Sequence, residues 1–488
     1  MSLIKLLQIF FVILILILFP FGIINYSGNI IYYLVFTLVS SYSLLVSFGK
    51  NSIAFETFFG LLLWLGFWFK FTIQISFLNS LFPEGAGIFD FKPDSFDNIL
   101  KISTISIIAF LSAKMFRSKF IFKYKNFKSE EYENTSCFRF YYKKRKLILL
   151  IYLTTIFVIS IINYKYVFFQ KGTVPETILP FGLNNFINWL LMFGLTSLSS
   201  LIIFFEFFYK KKNSNKILKF GLIETFTSSI SILSRAMIFN GTALIYGFYK
   251  LVDSSKIKIK KKKFINFFLI LIILFTSSLF LVSKLRQSKD FPVGHEVHKY
   301  IPQIETKSDN KIVTSLNTTI NSTTREINQI LFLIAGRWVG IEGIMAVSSS
   351  DEKGYELFIN SFYDKFDYSN SYYENKIKKS KHSYENNPKI YTVYVPGIVA
   401  FLLYANSMLF LFFGIFLLCI ICSYIEFLSF RLSLNNVIFS TVMGNVLAYR
   451  LAHFGYMPQN TYKFFLSVIF TITIAYIFLN LINKIKLK

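Results

Sequence analysis

The chain has 488 residues, 54% of them hydrophobic, with a mean hydropathy of +0.52. That apolar share, joined to repeated uncharged runs of about 20 residues, excludes a soluble globular protein. A net charge of +26 could suggest nucleic acid, but the excess sits in short segments at 114–146, 210–216, 256–263 and 484–488. Lys and Arg in short cytoplasmic loops fix membrane orientation, so no nucleic-acid partner is expected and contact with anionic membrane lipids is secondary.

In chain order, apolar runs predict helices at 4–24, 30–46, 55–78, 99–115, 147–162 and 186–208. The first lacks a small-residue cleavage site and reads as an uncleaved span. The connector 79–94 is acidic and rich in Gly and Pro, as an external loop should be. Residues 216–250 have basic flanks on both sides, so the segment crosses twice or dips and returns. At 1.5 Å per residue, ~34 residues are short for two ~30 Å crossings. Two short or broken helices meeting at Ser234-Arg235 are predicted, with Arg235 turned into a cavity.

A helix at 264–282 then delivers a long loop to the opposite side. Between 284 and 397 this loop carries 15 Lys/Arg against 13 Asp/Glu and has no cysteine, hence no disulfide. A shallow re-entry follows Pro396-Gly397, then spans at 408–430, 437–451 and 464–482. The predicted fold class is an all-α polytopic membrane protein with about 11 to 13 crossings and both termini cytoplasmic. It divides into an N-terminal bundle (1–283), an external loop (284–396) and C-terminal helices (397–488). Cys137 lies in a basic loop, and Cys419 and Cys422 stand one turn apart as packed thiols.

No metal or cofactor is expected. His295 and His298 have i, i+3 spacing but no third ligand nearby, and read as a solvated loop. P-loop, GxSxG and strand–helix GxGxxG motifs are absent. The residues left for chemistry are arginines at membrane boundaries: Arg235, Arg286 beyond the 264–282 span, Arg337 in AGRWVGIEG, and Arg450 near the end of a helix. A buried Arg costs about 2.5–3.5 kcal/mol on insertion scales, so it needs a partner or a cavity. Its planar fork suits a diphosphate. The competing reading is interfacial snorkelling for Arg286, and ion pairing with Glu224, Glu342 or Glu426 for the other three. His453 shares a face with Arg450, and it and Glu342 are the candidate bases. Glycines at 336, 340 and 343 argue against a continuous helix there. They leave a kinked loop over a cleft or an amphipathic helix, with Ile330, Leu331, Leu333 and Ile334 on the membrane.

With Ser234-Arg235 in a span, a dominant external loop late in the chain and the Pro396-Gly397 entry, the chain resembles the O-antigen polymerase-like integral membrane proteins. These are the Wzy-type oligosaccharide repeat-unit polymerases of bacterial surface polysaccharides. The resemblance rests mainly on hydropathy layout across the whole chain, and GRWVGIEG matches no family motif residue by residue. It implies metal-independent glycosyl transfer at the outer face of the bacterial inner membrane, between undecaprenyl-diphosphate-linked glycans. A chain-length regulator is a further candidate partner. A flippase or exporter of lipid-linked glycan, a ligase-like glycosyltransferase and a membrane scaffold remain alternatives.

Overall fold

A 16-residue helix, Val437–Ala452, is almost wholly enclosed by the rest of the chain: every residue from Val437 to Ala448 is buried. Enclosure explains why it can be short and carry Ser440, Thr441 and Asn445, since no face of it has to meet lipid. The computed structural model describes residues 3–49, 51–78, 80, 82, 86–122, 135–209, 214–255, 261–288, 331, 335–336, 338–363, 372–378, 395–455 and 458–484. Before the long loop come α1 (Leu3–Asn25), α2 (Ile30–Ser47), α3 (Ala54–Phe77), α4 (Pro93–Ile121), α5 (Ser136–Tyr166), α6 (Pro180–Tyr209), α7 (Ser214–Ser231), α8 (Ile238–Ser254) and α9 (Lys261–Gln287). After it come α10 (Ile341–Ser348), α11 (Tyr355–Asn360), α12 (Ile398–Leu403), α13 (Met408–Leu432), α14 (Val437–Ala452) and α15 (Thr461–Lys484).

The protein is an all-α polytopic membrane protein. Among the described residues, nine helices are long and apolar enough to cross a membrane: α1 to α6, α9, α13 and α15. The shorter or more polar α7, α8 and α14 pack among them. α14 contacts α3, α6, α8 and α13, so the division of the chain at 283 and 396 is one of sequence order and not of space.

Two expectations are corrected. α7 and α8 do meet at Ser234-Arg235, but they extend past the basic residues to Ser214 and Ser254. At 18 and 17 residues, each spans about 26 Å and is nearly a full crossing. α5 begins at Ser136, so Lys143, Lys144, Arg145 and Lys146 ride on the helix itself. Charge ends an apolar run in a hydropathy reading, but it does not end a helix.

Buried polar contacts lock the bundle. Glu426 of α13 accepts the backbone N–H groups of Ala54 and Phe55 at 2.9 and 2.6 Å, capping α3 from another helix. Gly444 of α14 makes room, since a Cβ there would lie 2.5 Å from the Glu426 carboxylate and 2.7 Å from the Phe55 nitrogen. Glu56 receives Arg117 at 2.8 and 2.7 Å. α3, α4 and α6 each contain a π-helical turn, at Leu65–Phe69, Arg117–Ile121 and Leu190–Gly194. Such turns cluster where a helix is re-aimed for a contact, and all three here do so. Arg117 meets Glu56, Gly66 meets the loop before α10, and Phe193 lies under Arg450.

Candidate functional site: a cation cluster at one end of the bundle

The cluster lies at the end of the bundle away from Tyr209 and Ser254, the C-terminal ends of α6 and α8. Its frame is a pair of turns. Val167, left-handed at φ 50, ends α5. The Asn163 amide then accepts from the Phe169 N–H and donates to the carbonyls of Phe169 and Ser231. The next residue but one, Lys171, donates its backbone N–H to the Ile232 carbonyl at 2.9 Å. Leu233 then takes φ 55, a conformation rare for a bulky residue and held only where the surroundings dictate it. Here the Ser229 hydroxyl donates to the Ser234 carbonyl at 2.7 Å and closes the turn.

On this frame three of the four predicted arginines come together. Arg286 donates Nε to the Leu233 carbonyl at 3.1 Å and Nη2 to the Lys171 carbonyl at 3.2 Å. Arg235 donates Nη2 to the Ser283 hydroxyl, 2.8 Å away and less than one turn before Arg286 on α9. Arg450 donates Nη1 to Ser467 at 2.7 Å and lies 4.7 Å over the Phe193 ring. All are half-buried. Snorkelling does not describe Arg286, whose fork ties two turns together. Arg337 lies outside the described residues, as do His295, His298, Ile330, Leu333 and Ile334.

The residue that the sequence reading missed is Lys171. Its ammonium stands 5.6 Å from the Tyr449 ring centre, and among the described residues no carboxylate pairs with it. Burial, then the neighbouring Arg286 and Arg450, push its pKa down to about 8. The available signal is a single lysine in the short 167–179 connector between two spans. His453 stacks on Tyr449 at 4.0 Å, and its Nδ1 lies 2.9 Å from the Tyr449 carbonyl. A carbonyl can only accept, which assigns the proton to Nδ1 and leaves Nε2 as the acceptor. Burial pulls His453 down to about 4, against the lift from that carbonyl and with Lys171 adding to the fall. It is therefore neutral at pH 7.

Glu342 is placed otherwise. It is buried in the first turn of α10, with Lys70 Nζ at 2.7 Å and Gln74 Nε2 at 3.1 Å. The same ammonium reaches the carbonyls of Gly336 and Trp338 at 3.0 and 2.9 Å. Backbones touch there: a Cβ on Gly66 would lie 2.0 Å from the Val339 oxygen. The Gly336–Glu342 stretch thus dips into the bundle at α3, and α10 is buried. Of the other carboxylates considered as arginine partners, Glu224 accepts from Thr196 and Ser228 at 3.0 Å each. Glu426 caps α3. Among the described residues no group of three or more His, Cys, Asp or Glu side chains could hold a metal ion.

No family model, curated protein or solved structure matches this chain. What the site offers is its own chemistry: a lysine close to arginines whose planar forks suit phosphate oxygens.

Proposed function

We propose that the protein polymerises undecaprenyl-diphosphate-linked oligosaccharide repeat units into a surface polysaccharide at the outer face of the bacterial inner membrane. The observation that carries this reading is the convergence of Lys171, Arg235, Arg286 and Arg450 at one end of a membrane bundle. A lipid diphosphate, its tail in the bilayer and its charge at the interface, fits that placement. The sequence resemblance supplies the reaction class.

In this mechanism the cations hold the diphosphate of the donor and stabilise the charge that grows on it as the anomeric C–O bond breaks. The acceptor is a sugar hydroxyl of a second lipid-linked unit. Its oxygen forms the new bond to the anomeric carbon, its proton passes to His453 Nε2, and undecaprenyl diphosphate leaves. The bound diphosphate offsets the positive surroundings of His453 and raises its basicity only when donor is present. Glu342, with its oxygens engaged by Lys70 and Gln74, serves to position the Trp338–Ser348 segment.

The test is deletion of the gene in its native host, with the surface glycan run on a gel. Wild type should restore the long-chain ladder, and Lys171→Ala, Arg286→Ala and Arg450→Ala should leave a single repeat unit at the surface. Loss of all surface glycan with lipid-linked units trapped inside the cell would assign export instead. Unchanged ladders in all three variants would overturn the role of the cluster.

A further inference from the structure

Four rings from three separate elements form a row beside the cation cluster. Trp338 precedes α10, Phe239 lies in the first turn of α8, and Tyr449 and His453 end α14. The Trp338 and Phe239 rings are 6.0 Å apart at 68°, and Phe239 and Tyr449 are 5.9 Å apart at 38°. His453 continues the row by its 4.0 Å stack on Tyr449. All four side chains are half-buried, with Trp338 and Tyr449 packed against the core. It starts under Lys171, whose ammonium stands 5.6 Å from the Tyr449 ring centre.

We infer that this row is the glycan subsite, on which the sugar bonded to the diphosphate packs at Phe239, with the following sugar at Trp338, while Tyr449, covered by His453 and Lys171, backs the row. The inference rests on the diphosphate reading of the cluster and adds to it. A sugar linked through its anomeric oxygen to a phosphate held by Lys171 lies one bond from that phosphate. It must therefore occupy the space next to Tyr449. The apolar C–H face of a pyranose packs on an aromatic ring, and large rigid rings give that contact at low entropic cost.

Lys70 is the positioning residue of this subsite. It never reaches the row, but its ammonium holds the Trp338 carbonyl at 2.9 Å and Glu342 at 2.7 Å. That double hold fixes the Trp338–Glu342 stretch against α3, and so fixes the ring distal to the cations.

The experiment compares two ligands on the full-length protein in nanodiscs by isothermal titration: undecaprenyl diphosphate without sugar, and the native repeat unit on the same lipid, isolated from the deletion strain. Trp338→Leu and Phe239→Leu should weaken the sugar-bearing ligand about tenfold and the bare lipid less than twofold. Trp338→Phe, which keeps a ring, should recover most of the loss, and Lys70→Met should match Trp338→Leu. Equal weakening of both ligands would place the lipid tail on the aromatic row and overturn the inference. So would variants that bind both ligands as wild type does. Should wild type bind neither ligand, the diphosphate reading itself falls, an outcome distinct from failure of the subsite alone.

Discussion

Lys171 offers a quantitative test, because its charge is the one in the cluster that titrates near neutrality. Burial with Arg286 and Arg450 nearby lowers its pKa to about 8, so it loses its proton as pH rises through that value. An anion binds the protonated form and raises the pKa in the complex, so affinity is full below the free-state pKa and falls above it. With a free-state pKa of about 8, roughly nine-tenths of Lys171 is charged at pH 7 and about one-tenth at pH 9. Affinity for undecaprenyl diphosphate should therefore drop about tenfold between pH 7 and 9, or ~1.4 kcal/mol. Titration calorimetry in nanodiscs at pH 7, 8 and 9 reads this directly. Lys171→Arg, which does not titrate in this range, should bind with a flat profile, and Lys171→Met should bind at pH 7 at least as weakly as wild type does at pH 9. Parallel pH profiles for wild type and Lys171→Arg would refute the reasoning.

Three further outcomes are expected. His453→Ala should lower kcat by about 10²–10⁴ with little change in diphosphate affinity, and an equal loss in both would make His453 a binding residue. Lys70→Met leaves Glu342 buried without its cation, at a cost of about 3–5 kcal/mol. The effect should appear as faster proteolysis near Ser350, and Lys70→Met/Glu342→Met together should cost less than either change alone. Additive costs in that double-mutant cycle would refute a coupled pair. Glu426→Leu removes the cap on α3 and should lower thermal stability by at least the ~1–2 kcal/mol of an ordinary cap. Gly444→Ala should do likewise by pressing a Cβ on the Phe55 nitrogen, and melting curves superposable on wild type would refute both.

The long apolar spans were legible in the sequence because lipid demands uninterrupted hydrophobic runs of fixed length. The α7–α8 pair was legible for a different reason: basic flanks on both sides force a return, and Ser234-Arg235 marks the turn. Their full length was not, because polar residues inside a bundle pack against other helices and escape a hydropathy rule. Arg235, Arg286 and Arg450 could be singled out as costly residues near membrane, whereas their meeting depends on how the 163–171 and 229–235 turns interlock, which no periodicity encodes. Lys70 sits within the apolar run GFWFKFTIQ, where an ionisable residue is itself a signal. Glu342, a candidate base or ion-pair member from its sequence alone, meets that buried ammonium at 2.7 Å, a pairing between residues 272 positions apart that no local pattern encodes.

The most direct test is reconstitution of the purified protein in liposomes with the isolated lipid-linked repeat unit and a chelator in the buffer. Gel analysis should show a ladder of glycans extending with time and released undecaprenyl diphosphate in proportion, with the Arg286→Ala/Arg450→Ala double variant inert. A repeat unit that stays single, or one that crosses the bilayer without elongation, would contradict the assignment of the cation cluster to glycosyl transfer.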